Sequence, residues 1–544
     1  MTEVAEGVGP VPAGPSVTLL AAPTTAPPTA PVAASAGPGT AGRGVRRGAP
    51  APVAVIGFSL LACQLAAMLV FSTVQYQRFA LTRDFANYAQ AWWAIGHGQL
   101  NPTSSQFGIA FWRNNAEFAM WPLALLSHVF PQPLTLLWVQ DVAVVVTEWV
   151  TLRWATEVVA GHRPGLPPAV GRWMPVGVAA VLALDPWAYE TTAFDFHFEA
   201  LTALFAVLVG RGLWRRRDRR WWGWVPATLV CSALGGVYLV GVGLSGVLAG
   251  RRTRAPGAVL AAVGLAYVAL LDRLGALGVG GFSLGNAFGY LVGPHRGHVG
   301  PAAVALGALT HPGAVAHMVG AHGAVVFGFL VAGGVVGVVS PWGAGMAAVV
   351  FGPELLDSTG AFVRYAASFQ SWPAIPFVVV GSVMVVVWLV ERRARARRLV
   401  TAALVGAGAL GAPLFGSYAL GNLPGLAHQW LAVDPPAAAA LARAQALIPA
   451  GAEVIASQGV VGRFAERDAL YAKLTAGATL PVVRPEVVFV LSATQGVCDG
   501  PAYGDAAAIG FVRHRLHATA LVARAGVSVL AWSPPPGDSS VTLP

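Results

Sequence analysis

Long apolar runs, separated by short polar or basic segments, fill most of the chain between residues 51 and 420. The first run, Val53 to Val74, is long enough to cross a bilayer, which requires about 20 apolar residues in a helix. Later runs predict spans near 134–155, 174–189, 198–213, 256–274, 322–340, 342–354, 373–390 and 400–420. The pattern predicts a mainly α fold, that of a polytopic helical membrane protein, with a multispan domain over 51–420.

Arginine runs set the expected orientation, because basic loops tend to stay on the cytoplasmic side. The runs 215–220, 251–254 and 391–398 all fall on the cytoplasmic side of the membrane if two conditions hold. Residues 118–130 must lie along the membrane surface instead of crossing, and 222–249 must form a hairpin of two short helices that breaks at Gly235-Gly236. The total is about eleven spans. The N-terminus is then cytoplasmic, and 75–133 and 275–321 are outer loops.

The pattern changes after residue 420 to short strands that alternate with helices. Helices are predicted at 437–448 and 505–523, and strands at 453–457, 487–492 and 527–532. This alternation predicts a small α/β domain over 421–544, placed in the extracytoplasmic space by the helix count alone. At the other terminus, residues 1–50 are rich in Pro, Ala, Gly and Thr and predict a disordered cytoplasmic tail.

Composition agrees with lipid as the solvent: 56% of the residues are hydrophobic and only 11% are charged. The net charge of +10 would suit nucleic acid, but the arginines lie in short runs between apolar segments. The expected partner is therefore the lipid bilayer, and no nucleic acid. Since no Walker loop, zincin motif or GxSxG elbow has the required flanking structure, ATP-driven transport by this chain alone is not expected.

The stretch RDFANYAQAWWAIGHGQ (83–99) places Asp84 just beyond the first predicted span. A carboxylate at the membrane interface could act as a general base toward a lipid-linked substrate. The alternative is a surface ion pair between Asp84 and Arg83, set in a belt of interfacial aromatic residues.

A second acidic stretch is FDFHFEAL (194–201), at a predicted outer turn. Asp195, His197 and Glu199 are of the types that bind a divalent metal, and all three share a face only if the stretch is extended. A turn that needs polar residues is the alternative explanation.

Asp141 and Glu148 lie on one side of a predicted span. Charged groups at membrane depth are costly and often functional. They could instead lie near the helix ends, pair with arginine or be protonated.

Several of these motifs resemble a family of bacterial predicted membrane proteins, domain of unknown function 2079. The resemblance covers most of residues 80–475. It rests on RDFANYAQAWWAIGHGQ, FPQPLTLLWVQ (130–140), FDFHFEAL, SPWGAGMAAVVFGPELL (340–356) and IPAGAEVIASQGVVGRFAERDALY (448–471). That family is in turn similar to the C-type glycosyltransferases, multispan enzymes that take a sugar from a polyprenyl phosphate carrier at the outer face of the membrane.

The resemblance implies a catalytic base at Asp84 and a polyprenyl-phosphate-linked sugar as donor, with an envelope glycan or protein as acceptor. The residues expected to bind substrate are Arg83, Gln90, Trp92 and Glu117. The residues expected to hold a divalent metal or the sugar phosphate are Asp195, His197 and Glu199. The chain departs from related sequences at SALGGVYL (232–239), where they carry a charged cluster, and at NNAEF (114–118), where a histidine is expected.

Two other functions fit the same residues. One is a transporter or flippase for a lipid or envelope precursor, with Asp141 and Glu148 as intramembrane coupling groups. The other is a non-catalytic envelope scaffold whose C-terminal domain binds a partner.

Overall fold

The chain is described here by a computed structural model that covers residues 52–162, 166–216, 219–276, 284–293, 299, 301–358, 370–392, 421, 431, 433–492 and 505–544. The predicted tail 1–50 and the predicted span 400–420 lie outside these residues.

The helices of the membrane domain are α1 (Pro52–Gln77), α2 (Arg83–Gly96), α3 (Phe111–Asn115), α4 (Met120–Ala124), α5 (Leu134–Gly161), α6 (Pro168–Ala183), α7 (Pro186–Ala193), α8 (Glu199–Arg215), α9 (Trp224–Cys231), α10 (Gly235–Leu248), α11 (Arg251–Leu274), α12 (Leu284–Val292), α13 (Pro301–Thr310), α14 (Pro312–Ala321), α15 (Gly323–Ala332), α16 (Pro341–Met346), α17 (Gly352–Leu355) and α18 (Ile375–Arg392).

The prediction of about eleven spans is wrong for the described residues. Among the residues that the structure describes, four helices are long and apolar enough to cross a membrane. A fifth span exists if α13 and α14, which bend by 96°, count as one. The four are Val55–Gln77, Leu134–Gly161, Arg251–Leu274 and Trp372–Glu391.

One of the runs that were predicted as single spans is broken, and another is helical but short. The run 174–189 is divided at Leu184 and Asp185, before Pro186 begins α7. Because proline lacks a backbone N–H, it favours helix starts over helix interiors. The run 342–354 is helical throughout, from α16 through a π-helical turn at Ala347–Phe351 to α17, but it is shorter than the about 20 residues that a span requires.

Two other predictions for the membrane domain are revised. The stretch 275–321, predicted as an outer loop, contains helices α12, α13 and α14 among its described residues. The hairpin predicted at 222–249 consists of α9 and α10, but it breaks at Ser232–Leu234, just before the two glycines. Residues 118–130 form α4 and a short 3-10 turn with exposed apolar side chains, and their place on the membrane surface stays a prediction.

Basic segments meet at one end of the helices, which we call the basic end. The carboxyl ends of α5, α8 and α18 and the start of α11 all lie there. Three side-chain pairs join them: Arg211–Glu157, Arg215–Glu157 and His162–Glu391. In addition, the side chain of Arg216 donates a hydrogen bond to the backbone carbonyl of Arg252. The opposite end, where α2 follows α1, is called the α2 end.

The C-terminal domain contains helices α19 (Pro435–Leu447) and α20 (Ala506–His514) and a mixed sheet. Its strands are β3 (Glu453–Ser457), β4 (Leu470–Lys473), β6 (Val487–Ser492), β7 (Thr519–Arg524) and β8 (Val527–Trp532). The order is β4-β3-β6-β8-β7, with β3 parallel to β4 and β6 and the other pairs antiparallel. A small antiparallel pair joins β5 (Ala478–Pro481) and β9 (Ser540–Leu543), and another, β1 (Thr103–Ser104) with β2 (Ile109–Ala110), follows α2.

The sequence located most of this sheet correctly. The strands predicted at 453–457, 487–492 and 527–532 match β3, β6 and β8, and the helix predicted at 437–448 matches α19. The helix predicted at 505–523 is wrong in its second half, because the chain turns after α20 and pairs as β7 with β8. Pairing with a buried strand outweighs the helical preference of alanine and leucine in this segment.

The C-terminal domain packs against the α2 end of the membrane domain. The backbone N–H of Gly462 donates to the carbonyl of Leu81, at 3.0 Å. A methyl group on Gly462 would lie 2.5 Å from the Leu81 Cβ, so the two backbones approach closely. The Arg463 guanidinium lies 4.5 and 4.1 Å from the ring centroids of Tyr76 and Phe79. Residues of α2 and of the sheet thus share one apolar core.

Helices α10 and α11 pack backbone to backbone through glycines. A Cβ on Gly264 would lie 2.3 Å from the carbonyl oxygen of Gly236, and one on Gly257 would lie 2.6 Å from that of Gly243. Small residues at such contacts let membrane helices approach closely.

Gly264→Ala is therefore expected to destabilise the protein by about 1–3 kcal/mol, the usual cost of overpacking. Gly177→Ala in α6 is the matched control, because a Cβ there meets no atom within 4 Å. Alanine at position 177 should leave stability unchanged or raise it by up to about 1 kcal/mol through helix propensity. Thermal unfolding in detergent measures both, and equal shifts in the two variants would contradict the close α10–α11 contact.

Candidate functional site

Asp84 lies in the first turn of α2, beyond the end of α1. Thr82 caps this helix: its hydroxyl accepts a hydrogen bond from the backbone N–H of Asp84. The Asp84 carboxylate lies 3.5 Å from Arg83, and both side chains are partly exposed, at 37% and 27%. The surface ion pair considered as the alternative is thus present. It leaves the carboxylate accessible at a helix N-terminus, where negative charge is stabilised.

Asp195 holds the start of α2 in place. It is fully buried and accepts hydrogen bonds from the backbone N–H of Thr82, at 3.0 Å, from the Thr82 hydroxyl, and from the backbone N–H of Phe85. Burial raises the pKa of Asp195 to about 7, and the hydrogen bonds from Thr82 oppose that shift. Asp195 thus binds residues on either side of Asp84, and the charge of Asp84 also raises this pKa.

His197 is buried beside the same pair of acids. Its Nδ1 lies 2.9 Å from the carbonyl of Phe194, and its backbone N–H donates to the side chain of Gln140. Burial lowers the pKa of His197 to about 4, although the charge of Asp84 raises it. At neutral pH the imidazole is therefore uncharged and supplies no positive charge for a phosphate.

Tyr88 lies one helical turn after Asp84 and interacts with two other acids of this region, Glu117 and Glu199. Its hydroxyl donates to Glu117 at 2.7 Å, and its ring packs edge-on against Phe196 at 5.2 Å. Burial raises the pKa of Tyr88 well above its usual value, and the charges of Glu117 and Glu199 raise it further. Residues from α2, from the following loop and from the start of α8 thus form one cluster of buried acids.

Glu199 is bound by the tip between α9 and α10. The hydroxyl of Ser232 donates to Glu199 Oε1 at 2.8 Å, whereas Oε2 is buried without a hydrogen-bond partner among the described residues. Related sequences are expected to carry a charged cluster at this tip. Here a neutral serine contacts the acid directly.

The three residues predicted to bind a metal do not converge. Asp195 bonds the start of α2, Glu199 bonds Ser232, and His197 bonds a backbone carbonyl. Within the described ranges, no group of three or more His, Cys, Asp or Glu side chains is placed to hold a metal ion. A metal shared by these three stays a prediction that this geometry does not favour.

The predicted substrate-binding residues divide into two groups. Arg83 and Glu117 lie near Asp84 and Tyr88, as described above. The amide of Gln90 instead donates to Ser105 and to the backbone carbonyl of Arg467, and so ties α2 to the C-terminal domain. Trp92 is buried in the shared apolar core, with 1% of its surface exposed.

Sequence reasoning missed Thr82, Tyr88 and Ser232. Thr82 could have been found, because a threonine just before a helix is a common N-cap. Tyr88 is four residues after Asp84, which places both on one helix face. Ser232 had no signal in the sequence, because its role depends on a residue of another helix.

The intramembrane acids Asp141 and Glu148 are fully buried on α5. The Ser72 hydroxyl donates to Asp141 at 3.2 Å, and the Gln64 amide donates to Glu148 at 3.2 Å. Both donors belong to α1. Neither acid is near a helix end, and within the described part of the chain neither forms an ion pair with arginine.

Comparison with known proteins places these features in a family. A search of curated proteins gave no match. A family model described as predicted membrane protein (DUF2079) matches residues 76–495, which include α2, the cluster of buried acids, the intramembrane acids and the parallel strands of the C-terminal domain. The chain therefore belongs to the DUF2079 family of predicted membrane proteins.

Proposed function

We propose that the protein is a membrane glycosyltransferase of the C type, which transfers a sugar from a polyprenyl phosphate to an envelope acceptor at the α2 end. One observation carries the proposal. Asp84 is an accessible carboxylate, fixed at a helix start beside the cluster of buried acids. That arrangement suits a general base at the membrane surface.

The orientation follows from charge. Basic segments are gathered at the basic end, and the positive-inside rule assigns that end to the cytoplasm. The α2 end and the C-terminal domain packed on it then face the extracytoplasmic space. A polyprenyl-linked donor presents its sugar phosphate at this surface, within reach of Asp84.

In the proposed reaction, the Asp84 carboxylate accepts the proton of an acceptor hydroxyl. The acceptor oxygen attacks the anomeric carbon of the sugar as the bond from that carbon to the phosphate oxygen breaks. The leaving polyprenyl phosphate keeps the electron pair. The proposed contacts for that phosphate are Arg83, beside Asp84, and Arg113, which is exposed at the end of α3. The guanidinium group of an arginine can donate two parallel hydrogen bonds to two oxygens of one phosphate.

The hydrogen bonds around Asp84 support this role. Thr82 caps α2 and orients Asp84, and Asp195 holds Thr82 through both its backbone and its hydroxyl. A base must be held in place to act, since small displacements are costly in rate. Asp195 and Thr82 are thus positioning residues in this proposal.

Asp84→Asn is expected to lower sugar transfer by about 10²–10⁴-fold, because asparagine cannot accept the proton. The measurement is transfer from radiolabelled polyprenyl phosphate sugars by the purified protein, together with envelope glycan composition in a deletion strain. Asp272→Asn is the control, an exposed aspartate near the end of α11 that should keep wild-type activity.

Restoration of a glycan defect by Asp84→Asn, at normal expression, would remove Asp84 from the mechanism. A deletion strain with unchanged envelope glycans, and no transfer by the purified protein from any donor tested, would count against glycosyl transfer itself.

Thr82→Val should lower the free energy of unfolding by about 1–2 kcal/mol, because it removes a helix cap and a hydroxyl donor to Asp195. It should also lower the transfer rate at saturating donor, since Asp84 loses its fixed position. Thr82→Ser keeps the hydroxyl and should restore both properties. If Thr82→Val matched Thr82→Ser in thermal unfolding and in transfer, the positioning role would be rejected.

A further inference from the structure

One carboxylate of the C-terminal domain joins the ends of two neighbouring strands. Ser457 ends β3 and Lys473 ends β4, and the two residues are paired in the parallel register. The Ser457 hydroxyl donates a hydrogen bond to Asp505 Oδ2, and Lys473 Nζ donates to Asp505 Oδ1, at 2.8 Å. Asp505 directly precedes α20. We call these three residues the Asp505 clasp.

The clasp is buried, and its polar groups bind one another. The Lys473 and Asp505 side chains are each 4% exposed. The Ser457 oxygen also accepts a hydrogen bond from the backbone N–H of Ser492, at 2.9 Å, which joins the end of β6 to the same group. Hydrogen bonds to charged groups are about twice as strong as neutral ones, and removal of one partner leaves a buried charge uncompensated. The clasp therefore fixes the ends of three parallel strands.

The chain between the first two strand ends contacts the start of α2. This connector, residues 458–469, begins with a 3-10 turn at Gln458–Phe464. Within the turn, the backbone N–H of Gly462 donates to the carbonyl of Leu81, just before α2. A methyl group on Gly462 would come within 3.0 Å of the Phe85 ring, so the turn lies directly against the first residues of the helix.

The second half of the connector and the start of β4 contact α2 and the loop after it. The Gln90 amide donates to the carbonyls of Arg467, at 2.8 Å, and Asp468, at 3.3 Å. The Ser105 hydroxyl donates to the carbonyl of Leu470 at 2.6 Å and accepts from its backbone N–H at 3.1 Å. The connector is thus held at both ends by the clasp and contacts α2 in between.

The clasp and α2 lie on opposite faces of the sheet. Along β3, Val454 and Ala456 belong to the apolar core shared with α2, whereas Ile455 packs in the core that contains α20. Because side chains alternate along a strand, Ser457 lies on the α20 face. The effect of the clasp on α2 therefore passes through the backbone of the connector.

We propose that Asp505 is a positioning residue for α2. Its carboxylate holds both ends of the connector, and the connector holds the start of α2 and with it the Asp84 carboxylate. Asp195 restrains the same helix start from the membrane domain, and Gly462 restrains it from the C-terminal domain. Since small displacements of a catalytic group are costly in rate, both restraints act on Asp84. The consequence for sugar transfer rests on the function proposed above, whereas the restraint on α2 does not.

Hydrogen–deuterium exchange of the purified protein in detergent tests the restraint. Asp505→Asn should speed the exchange of backbone amides in residues 82–86 by at least about tenfold, because a broken buried ion pair lets the connector open locally. The matched control is Val512→Ala on α20, which leaves a cavity in the core on the α20 face of the sheet. It should lower the unfolding temperature as well, but leave exchange in residues 82–86 unchanged.

Two results would overturn the proposal. One is wild-type exchange of residues 82–86 in Asp505→Asn. The other is an equal rise in exchange in Val512→Ala at an equal loss of unfolding temperature, because α2 would then follow only the overall stability of the C-terminal domain. If Asp505→Asn does not fold, Ser457→Ala gives the same comparison, since it removes one of the two hydrogen bonds to the carboxylate.

Sugar transfer gives a separate readout. If the wild type transfers sugar, Asp505→Asn should lower the transfer rate at saturating donor, and Val512→Ala should not. Faster exchange of residues 82–86 in Asp505→Asn, in a protein that transfers no sugar, would support the clasp and count against the glycosyltransferase. Unchanged exchange in that variant, in a protein that does transfer sugar, would reject the clasp alone.

Discussion

Carboxyl groups buried in an apolar helical body must find hydrogen-bond donors within the protein, and this requirement organises much of the membrane domain. Ser72 and Gln64 on α1 supply donors to Asp141 and Glu148 on α5. The contact of these two helices is therefore polar as well as apolar. Donors run short at Glu148 and Asp185, each of which keeps one carboxyl oxygen buried without a hydrogen-bond partner among the described residues.

The same requirement for hydrogen-bond donors to buried carboxyl groups applies at the α2 end. Asp195 is satisfied by the start of α2, so the buried acid and the accessible Asp84 are linked through Thr82. On its other side, α2 is tied to the C-terminal domain through Gln90. One short helix thus connects the membrane domain, the cluster of buried acids and the C-terminal domain. A displacement of the C-terminal domain would reach Asp84 through α2 and through Leu81, just before it.

Prediction from sequence succeeded where the signal is local. Strands β3, β6 and β8 are short apolar runs bounded by turns, and they lie where they were predicted. Span prediction failed because apolar composition does not record where one helix ends and the next begins, as between Ala183 and Pro186. The acidic motifs were recognised, but the hydrogen bonds of Asp195 with Thr82 and of Glu199 with Ser232 were not, because these partners are distant in sequence.

The sequence by itself determined that this is a membrane protein with basic segments between its apolar runs and a small α/β domain at its end, since composition and periodicity are properties of neighbouring residues. Only the tertiary structure decided which acids meet, which are satisfied and which lack a donor. Asp185 illustrates the difference: in the sequence it precedes a proline in an apolar run, and in the fold it caps α7 while its second carboxyl oxygen is buried without a hydrogen-bond partner among the described residues. The physical reason is that hydrogen-bond satisfaction is set by residues from separate helices, and their contacts exist only after the helices have packed.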